Sequence, residues 1–379
     1  MVIRDAEEKL KNLSEQFKAV AVVGPRQSGK TTLVKHVFSH LNYVNLENRD
    51  SQHFAMEDPR GFLVQYAQGA VIDEAQRAPE LFSYLQQVLD ETKTTGRFII
   101  TGSNNFLLQQ NISQSLAGRI AYLYLLPFTY PEIRHIYETD LNNMLLKGFY
   151  PAIYDQPVDA ETWKTNYIRT YIERDVRQIK NISNLQVFDR FLRLCAGRSG
   201  QLLNMSNLAL ETGVDIKTIG SWLGILESSF ILFRLPPHYK NFNKRIVKMP
   251  KLYFYDIGIA CSLLGIHTTE QLMCHPLAGS LFENFVISEF LKKNFNKGTN
   301  SSFYFWRDNT GHEVDLIIED AGKLFPVEIK SGRTITPEYF SGLYFWQKIT
   351  GSNEGRIIYA GDSEQNRTDG IQITNWKNM

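Results

Sequence analysis

Residues Gly24-Pro25-Arg26-Gln27-Ser28-Gly29-Lys30-Thr31 match the spacing G-x-x-x-x-G-K-[ST] in full. Glycines at these two places let a loop curl until backbone N–H groups point inward, which is what phosphate oxygens need. Lys30 adds a point charge for the β- and γ-phosphates, and the Thr31 hydroxyl suits Mg²⁺. The flanks agree with this reading. The apolar β-branched run Ala19–Val23 precedes the loop as a buried strand, and a helix whose N-terminal dipole favours anions follows from Thr31. Gly24 to Thr32 is therefore expected to bind ATP with Mg²⁺. A chance glycine-rich turn is the alternative.

Val71-Ile72-Asp73-Glu74 is an apolar strand ending in two carboxylates. Asp73 is expected to hold the magnesium through water, and Glu74, one residue on, to polarise the attacking water. An ordinary acidic turn is the bland reading. Phe98–Thr101 is another apolar strand, followed by Gly102-Ser103-Asn104. Ser103 or Asn104 would reach the γ-phosphate or its water; a plain turn is the alternative. Arg119 ends the next helix and is a candidate phosphate-sensing or finger arginine, against a charge that simply complements a helix C-terminus.

A second set of chemistry-bearing residues lies near the C-terminus. Glu283 falls on an expected helix at Leu281–Asn294, Asp315 on a strand, and Glu328 and Lys330 on the next strand. Period-two alternation puts Glu328 and Lys330 on one face, and a turn at Asp320–Gly322 pairs their strand with that of Asp315. An Asp followed by Glu-x-Lys resembles the PD-(D/E)xK nuclease core, in which carboxylates bind Mg²⁺ and the lysine assists phosphodiester cleavage. Glu283, Asp315 and Glu328 are the expected ligands of a second divalent ion, with Lys330 beside it. Val314 stands where the proline of that pattern is usual. An amphipathic hairpin with a solvated charged face is the rival reading, and His312 reads as a turn residue.

The elements that must position these residues follow from periodicity. Over residues 1–130 strands alternate with helices, which predicts an α/β parallel sheet covered on both faces. Residues 131–187 read as a helical lid. Residues 188–255 contain two short helices, Asn207–Thr212 and Lys217–Ser228, and a hairpin joining Phe230–Leu235 to Lys251–Tyr255, the pattern of a winged helix. Residues 256–379 are α/β again. In the second short helix Ile219, Trp222, Leu223 and Leu226 are core, which leaves Lys217, Thr218 and Ser221 for contacts. The wing carries Lys240, Lys244, Arg245 and Lys248 among Tyr239 and Phe242. It suits either phosphate contact or domain packing.

The combination GPRQSGKTT, VIDEAQ, IITGSN and LAGR, with YIERDV at Tyr171–Val176 and GHEVDLII…VEIK further on, resembles the bacterial and archaeal AAA-type ATPases that carry a C-terminal domain of unknown function. The resemblance covers nearly the whole chain. It implies an ATPase domain, a winged helix and a restriction-endonuclease-like domain.

Composition bounds the rest. The chain has 379 residues, 43% of them hydrophobic and 21% charged, which suits a globular protein of several domains. No apolar run approaches the ~20 residues of a membrane span, and a cytoplasmic protein is expected. Three cysteines without metal-ligand spacing read as reduced thiols. Net charge is +1, yet residues 161–250 hold 14 basic and 7 acidic residues. That local excess makes DNA or RNA a candidate partner. A protein partner or a homo-oligomer is the alternative, with ATP acting as a switch.

Overall fold

The computed structural model describes every residue except 1, 103–107, 109–111, 113–114, 138–139, 173–183, 239–247 and 300, and the side chains of Tyr171 and Ile172. Ser103 and Asn104, the wing residues from Tyr239 to Arg245, and the side chains of Tyr171–Val176 therefore lie outside the described residues.

The first sheet comprises β1 (Ala19–Val23), β2 (Asn42–Asn45), β3 (Ala70–Asp73), β4 (Phe98–Gly102) and β5 (Ile120–Tyr124), in the order β2-β3-β4-β1-β5. All its pairings are parallel. β1 shows why the run AVAVV is apolar throughout. Ala19, Ala21 and Val23 face one core, while Val20 and Val22 face the other. The first core is closed by α3 (Arg49–Glu57), α4 (Pro59–Gln65) and α5 (Leu81–Glu91); the second by α1 (Glu7–Gln16) and α2 (Lys30–Val37). A strand buried on both faces has no polar side to spare. Local chemistry sets the helix starts: Asn48 caps α3, and Asp58 with Pro59 opens α4.

Beyond the sheet, short helices at Leu141–Lys147, Ala152–Asp155 and Ala160–Tyr167 lead to a longer one at Leu185–Ala196. Helices Met205–Thr212 and Ile216–Ser228 follow, joined at Gly213 in the left-handed region and capped by Asn204 and Asp215. β6 (Leu232–Leu235) and β7 (Lys251–Phe254) then pair antiparallel. Two helices joined by a turn, then two antiparallel strands, are the elements that the periodicity predicts here.

The C-terminal sheet runs β12-β13-β11-β10-β9-β8, where β8 is Ser302–Arg307, β9 Glu313–Asp320, β10 Lys323–Lys330, β11 Gly355–Tyr359, β12 Gln365–Asn366 and β13 Ile371–Asn375. β9 and β10 form a tight hairpin across Ala321 (φ 48°) and Gly322 (φ 80°). β11 returns parallel to β10 after the helix Ser341–Thr350. That helix covers one face of the sheet and the long helix Ala278–Lys297 the other. One buried apolar cluster extends from Leu126 to Trp376, so the middle segment and the inner face of this sheet share a core.

Asp256 joins two parts of that core. It caps the helix Ile257–Leu263 through Ile259 N–H and accepts Phe149 N–H at 2.7 Å. Burial pushes its carboxyl up, against the pull of Lys292 and these amides. Asp256→Ala is expected to lower stability by about 2–4 kcal/mol, one cap plus one buried amide left without an acceptor. Chemical denaturation measures this, and an unchanged midpoint would refute it.

Candidate functional site

The residues of the phosphate-binding loop leave β1 and enter α2 at the end of the sheet. Gly24 packs so tightly there that a Cβ on it would lie 2.1 Å from the Leu125 carbonyl oxygen. Gln27 (φ 60°) and Gly29 (φ 91°) take left-handed backbone, which turns the loop back on itself. Lys30 is buried, and its ammonium donates to the carbonyls of Gly24 at 3.0 Å and Pro25 at 2.7 Å. Burial pulls its pKa down to about 8, opposed by the charges of Glu74 and Asp73. Phosphate oxygens at the loop would favour its charged form.

β3 runs beside β4, with β1 next in the sheet, and its last residue, Asp73, meets the loop. The Thr31 hydroxyl donates to Asp73 Oδ2 at 2.8 Å, as does Tyr43 at 2.7 Å. Thr101 donates to Oδ1, and so does the Glu74 N–H at 3.1 Å. Burial and the bond to Asp73 push the Tyr43 phenol far up, so it stays a donor. The hydroxyl of Thr31 and the carboxylate of Asp73 are thus adjacent oxygens of the kind a hard divalent cation takes. Glu74 follows in the left-handed region (φ 56°), an uncommon conformation for a non-glycine residue. Its carboxylate accepts from Gln76 Nε2.

A cavity of about 370 Å³ lies above the loop. Arg26, Gln27, Gly29, Lys30, Thr31, Thr32, Glu47 and Glu74 line its floor, and Pro151, Ala152, Asp155 and Gln156 its other wall. Residues of the middle segment therefore share this cavity with the loop. Tyr167 also reaches the loop, donating to the Arg26 carbonyl at 3.4 Å.

Of the residues expected here, Gly24–Thr32, Asp73 and Glu74 are brought together. Arg119 is not. It precedes β5, whose first residue pairs with Ala19, so it sits at the edge of the sheet opposite the loop. Four residue steps of strand, about 13 Å, separate those edges. Arg119 instead pairs with Asp90 at 2.6 Å on the surface. A phosphate-sensing role toward its own chain's loop is corrected by this placement. Thr101 and Tyr43 are site residues that sequence reasoning missed. Thr101 sits inside the apolar run of β4, where a lone threonine was the available signal; Tyr43 gave none.

In the C-terminal part Asp315, Glu328 and Lys330 meet as expected, whereas Glu283 is engaged from β7. Lys330 donates to Glu328 at 2.6 Å and Asp315 at 3.4 Å, which puts all three on one face. Asp315 accepts the Ile329 N–H at 2.8 Å. Glu283 bonds to Lys251 at 2.9 Å and to Tyr253, both from β7, and Lys251 also pairs with Glu313. Burial, then Asp315, pushes Glu328 up to about 8. Among the described residues no three Asp, Glu, His or Cys side chains are gathered to hold a metal ion. The expected ligand set of Glu283, Asp315 and Glu328 is corrected accordingly: two lysines take up the negative charge that a cation was expected to balance. His312 is a turn residue, 3.2 Å from Asp308 and stacked on Phe345.

Among the described residues no helix is long and apolar enough to cross a membrane. Cys195 and Cys261 are buried free thiols and Cys274 an exposed one.

Family models match the chain in three stretches: an AAA domain over residues 16–134, a domain of unknown function (DUF8612) over 138–270, and another (DUF4143) over 278–379. Uncharacterized proteins of Mycobacterium bovis and Mycobacterium tuberculosis are each 30% identical over 347 residues, 88% of this chain and 74% of theirs. An uncharacterized protein of Methanocaldococcus jannaschii is 24% identical over 84% of this chain and 75% of its own. Among solved structures, a Walker-type ATPase of Pyrococcus abyssi superposes with a TM-score of 0.46 at 14% identity, over 68% of this chain and 94% of that one. The chain belongs to the same family as the two mycobacterial proteins, and its N-terminal part is an AAA-type P-loop ATPase domain.

Proposed function

We propose that the chain binds ATP with Mg²⁺, hydrolyses it, and couples turnover to bound DNA or RNA. The observation that carries the ATPase reading is the meeting of Thr31 Oγ1 and Asp73 Oδ2, 2.8 Å apart, beside the buried Lys30. Thr31 and Asp73 would hold the magnesium, which supplies charge neutralisation on the phosphates. Loop amides and Lys30 would hold the β- and γ-phosphates, and Glu74 would accept the proton of the attacking water. Arg119 could serve only the site of a second copy, as an arginine supplied in trans.

The nucleic-acid part rests on the basic excess of residues 161–250 and on the helix–turn–helix with its hairpin. The C-terminal unit has the order helix, three antiparallel strands, helix, parallel strand, with Asp315, Glu328 and Lys330 on one face. We read it as restriction-endonuclease-like.

Two observations favour a second reading, an ATP-dependent switch acting on a protein partner with an inactive C-terminal unit. Lysines already engage the carboxylates of that unit. The helix–turn–helix also exposes apolar side chains, Leu210 at 84% and Ile216 at 48%, while Thr218 is spent on capping with Asp215.

The steady-state ATPase rate with and without DNA or RNA separates the two readings. Under the first, nucleic acid stimulates turnover, and binding weakens steeply with salt as phosphate contacts release counterions. Neutralising Lys244, Arg245 and Lys248 should then weaken binding regardless of sequence. No binding at low salt and no stimulation would select the switch.

A further inference from the structure

Arg4 lies in the segment before α1, outside the nucleotide motif, yet its guanidinium is 6% exposed and fully directed. Nη1 donates to the Ser28 carbonyl at 2.7 Å, Nη2 to the Leu126 carbonyl at 2.7 Å, and Nε to Glu132 Oε1 at 2.9 Å. The plane lies over Phe128, 4.8 Å from the ring centroid. Two stretches that the chain keeps far apart are thereby tied to one planar cation: the phosphate-binding loop, and the segment that runs from Leu126, just beyond β5, into the turn of helix after Thr129.

Glu132 is itself held. It accepts the Asp5 N–H at 2.8 Å and, through its other oxygen, the Thr129 N–H at 2.7 Å. The same stretch is clamped from the opposite side by the helix Ala278–Lys297. Glu289 accepts the Tyr130 N–H at 2.8 Å, and Lys292 donates to the Phe128 carbonyl at 3.0 Å. Arg4 therefore joins the loop to a rigid support rather than to a surface side chain.

We propose that Arg4 is the positioning residue of the phosphate-binding loop. This rests on the P-loop reading of residues 24–31. A loop that binds phosphate must keep its carbonyls turned outward so that its amides point in. Ser28 is the residue whose carbonyl Arg4 holds from behind, and a Cβ on the next residue, Gly29, would lie 3.3 Å from Arg4 Nη1, so the guanidinium also fills the space behind that glycine. A guanidinium suits the task because its fork is planar and preorganised, and a lysine could satisfy only part of the set.

The test compares Arg4→Gln, Glu132→Gln and Arg4→Lys with Leu85→Ala, a core change in α5 that touches neither the loop nor Arg4. Amide hydrogen exchange at residues 27–30 is read on the full-length chain without nucleotide, so its outcome stands apart from whether the chain turns ATP over. We expect Arg4→Gln and Glu132→Gln to speed that exchange by about tenfold or more, and Arg4→Lys to recover part of the protection. With ATP, KM should rise by about tenfold while kcat stays within about threefold, because Asp73 and Glu74 are untouched. Unchanged loop exchange in Arg4→Gln would overturn the proposal. So would an equal acceleration in Leu85→Ala, since the effect would then be loss of stability alone.

Discussion

Glu74→Gln is expected to bind Mg·ATP as the native chain does and to turn it over about 10²–10⁴-fold more slowly, the usual cost of removing one positioned base. Asp73 cannot serve as that base. Its two oxygens already take donors from Thr31, Tyr43, Thr101 and the Glu74 amide. Glu74 follows directly, in left-handed backbone, and its side chain lines the cavity above the loop. Glu47 is the other glutamate on the cavity floor, and it pairs with Arg77 at 2.9 Å. Glu47→Gln is therefore the informative control and should keep most of the rate. Equilibrium nucleotide titration and steady-state phosphate release measure the two quantities. If binding and turnover fall together in Glu74→Gln, the residue belongs to the metal; if neither falls, it has no part in the chemistry.

Lys30→Ala is expected to weaken Mg·ATP binding by about 10²-fold or more. The ammonium is buried beneath the loop and presently satisfied by two loop carbonyls, so it can reach phosphate without a large rearrangement. Removing it also takes one donor from each of those carbonyls, Pro25 keeping the Ser28 N–H at 3.4 Å, and takes away the charge of the buried ammonium. A Lys30→Ala chain that binds and hydrolyses ATP at the native rate would remove the nucleotide assignment altogether. Lys30→Arg is a stricter comparison. It keeps the charge, but a guanidinium needs more room than the buried site offers and donates in a fixed plane.

What could be read from the residues alone was local. The loop is eight consecutive residues whose conformation depends on glycine and whose chemistry depends on a lysine and a threonine next to each other, so no folding step intervenes between pattern and site. Asp73 and Glu74 were legible for a similar reason: a buried parallel strand delivers its last residues to one edge of the sheet. The same rule, applied to Arg119, already places a residue that precedes β5 at the other edge.

Tertiary structure decided the rest, because it depended on which distant side chains share a space. Thr101 and Tyr43 reach Asp73 across 28 and 30 residues of chain, and Arg4 reaches Glu132 across 128. Apart from the lone polar position of Thr101 in an apolar strand, nothing in their own neighbourhoods marks them. In the C-terminal unit, alternation along β10 was enough to put Glu328 and Lys330 on one face and the hairpin enough to bring Asp315 beside them. It could not say that Lys251 would arrive from β7 to meet Glu283. That contact exists because β7 packs against the helix Ala278–Lys297, and it changes the character of the cluster, since a buried carboxylate takes whichever positive charge the fold places nearest.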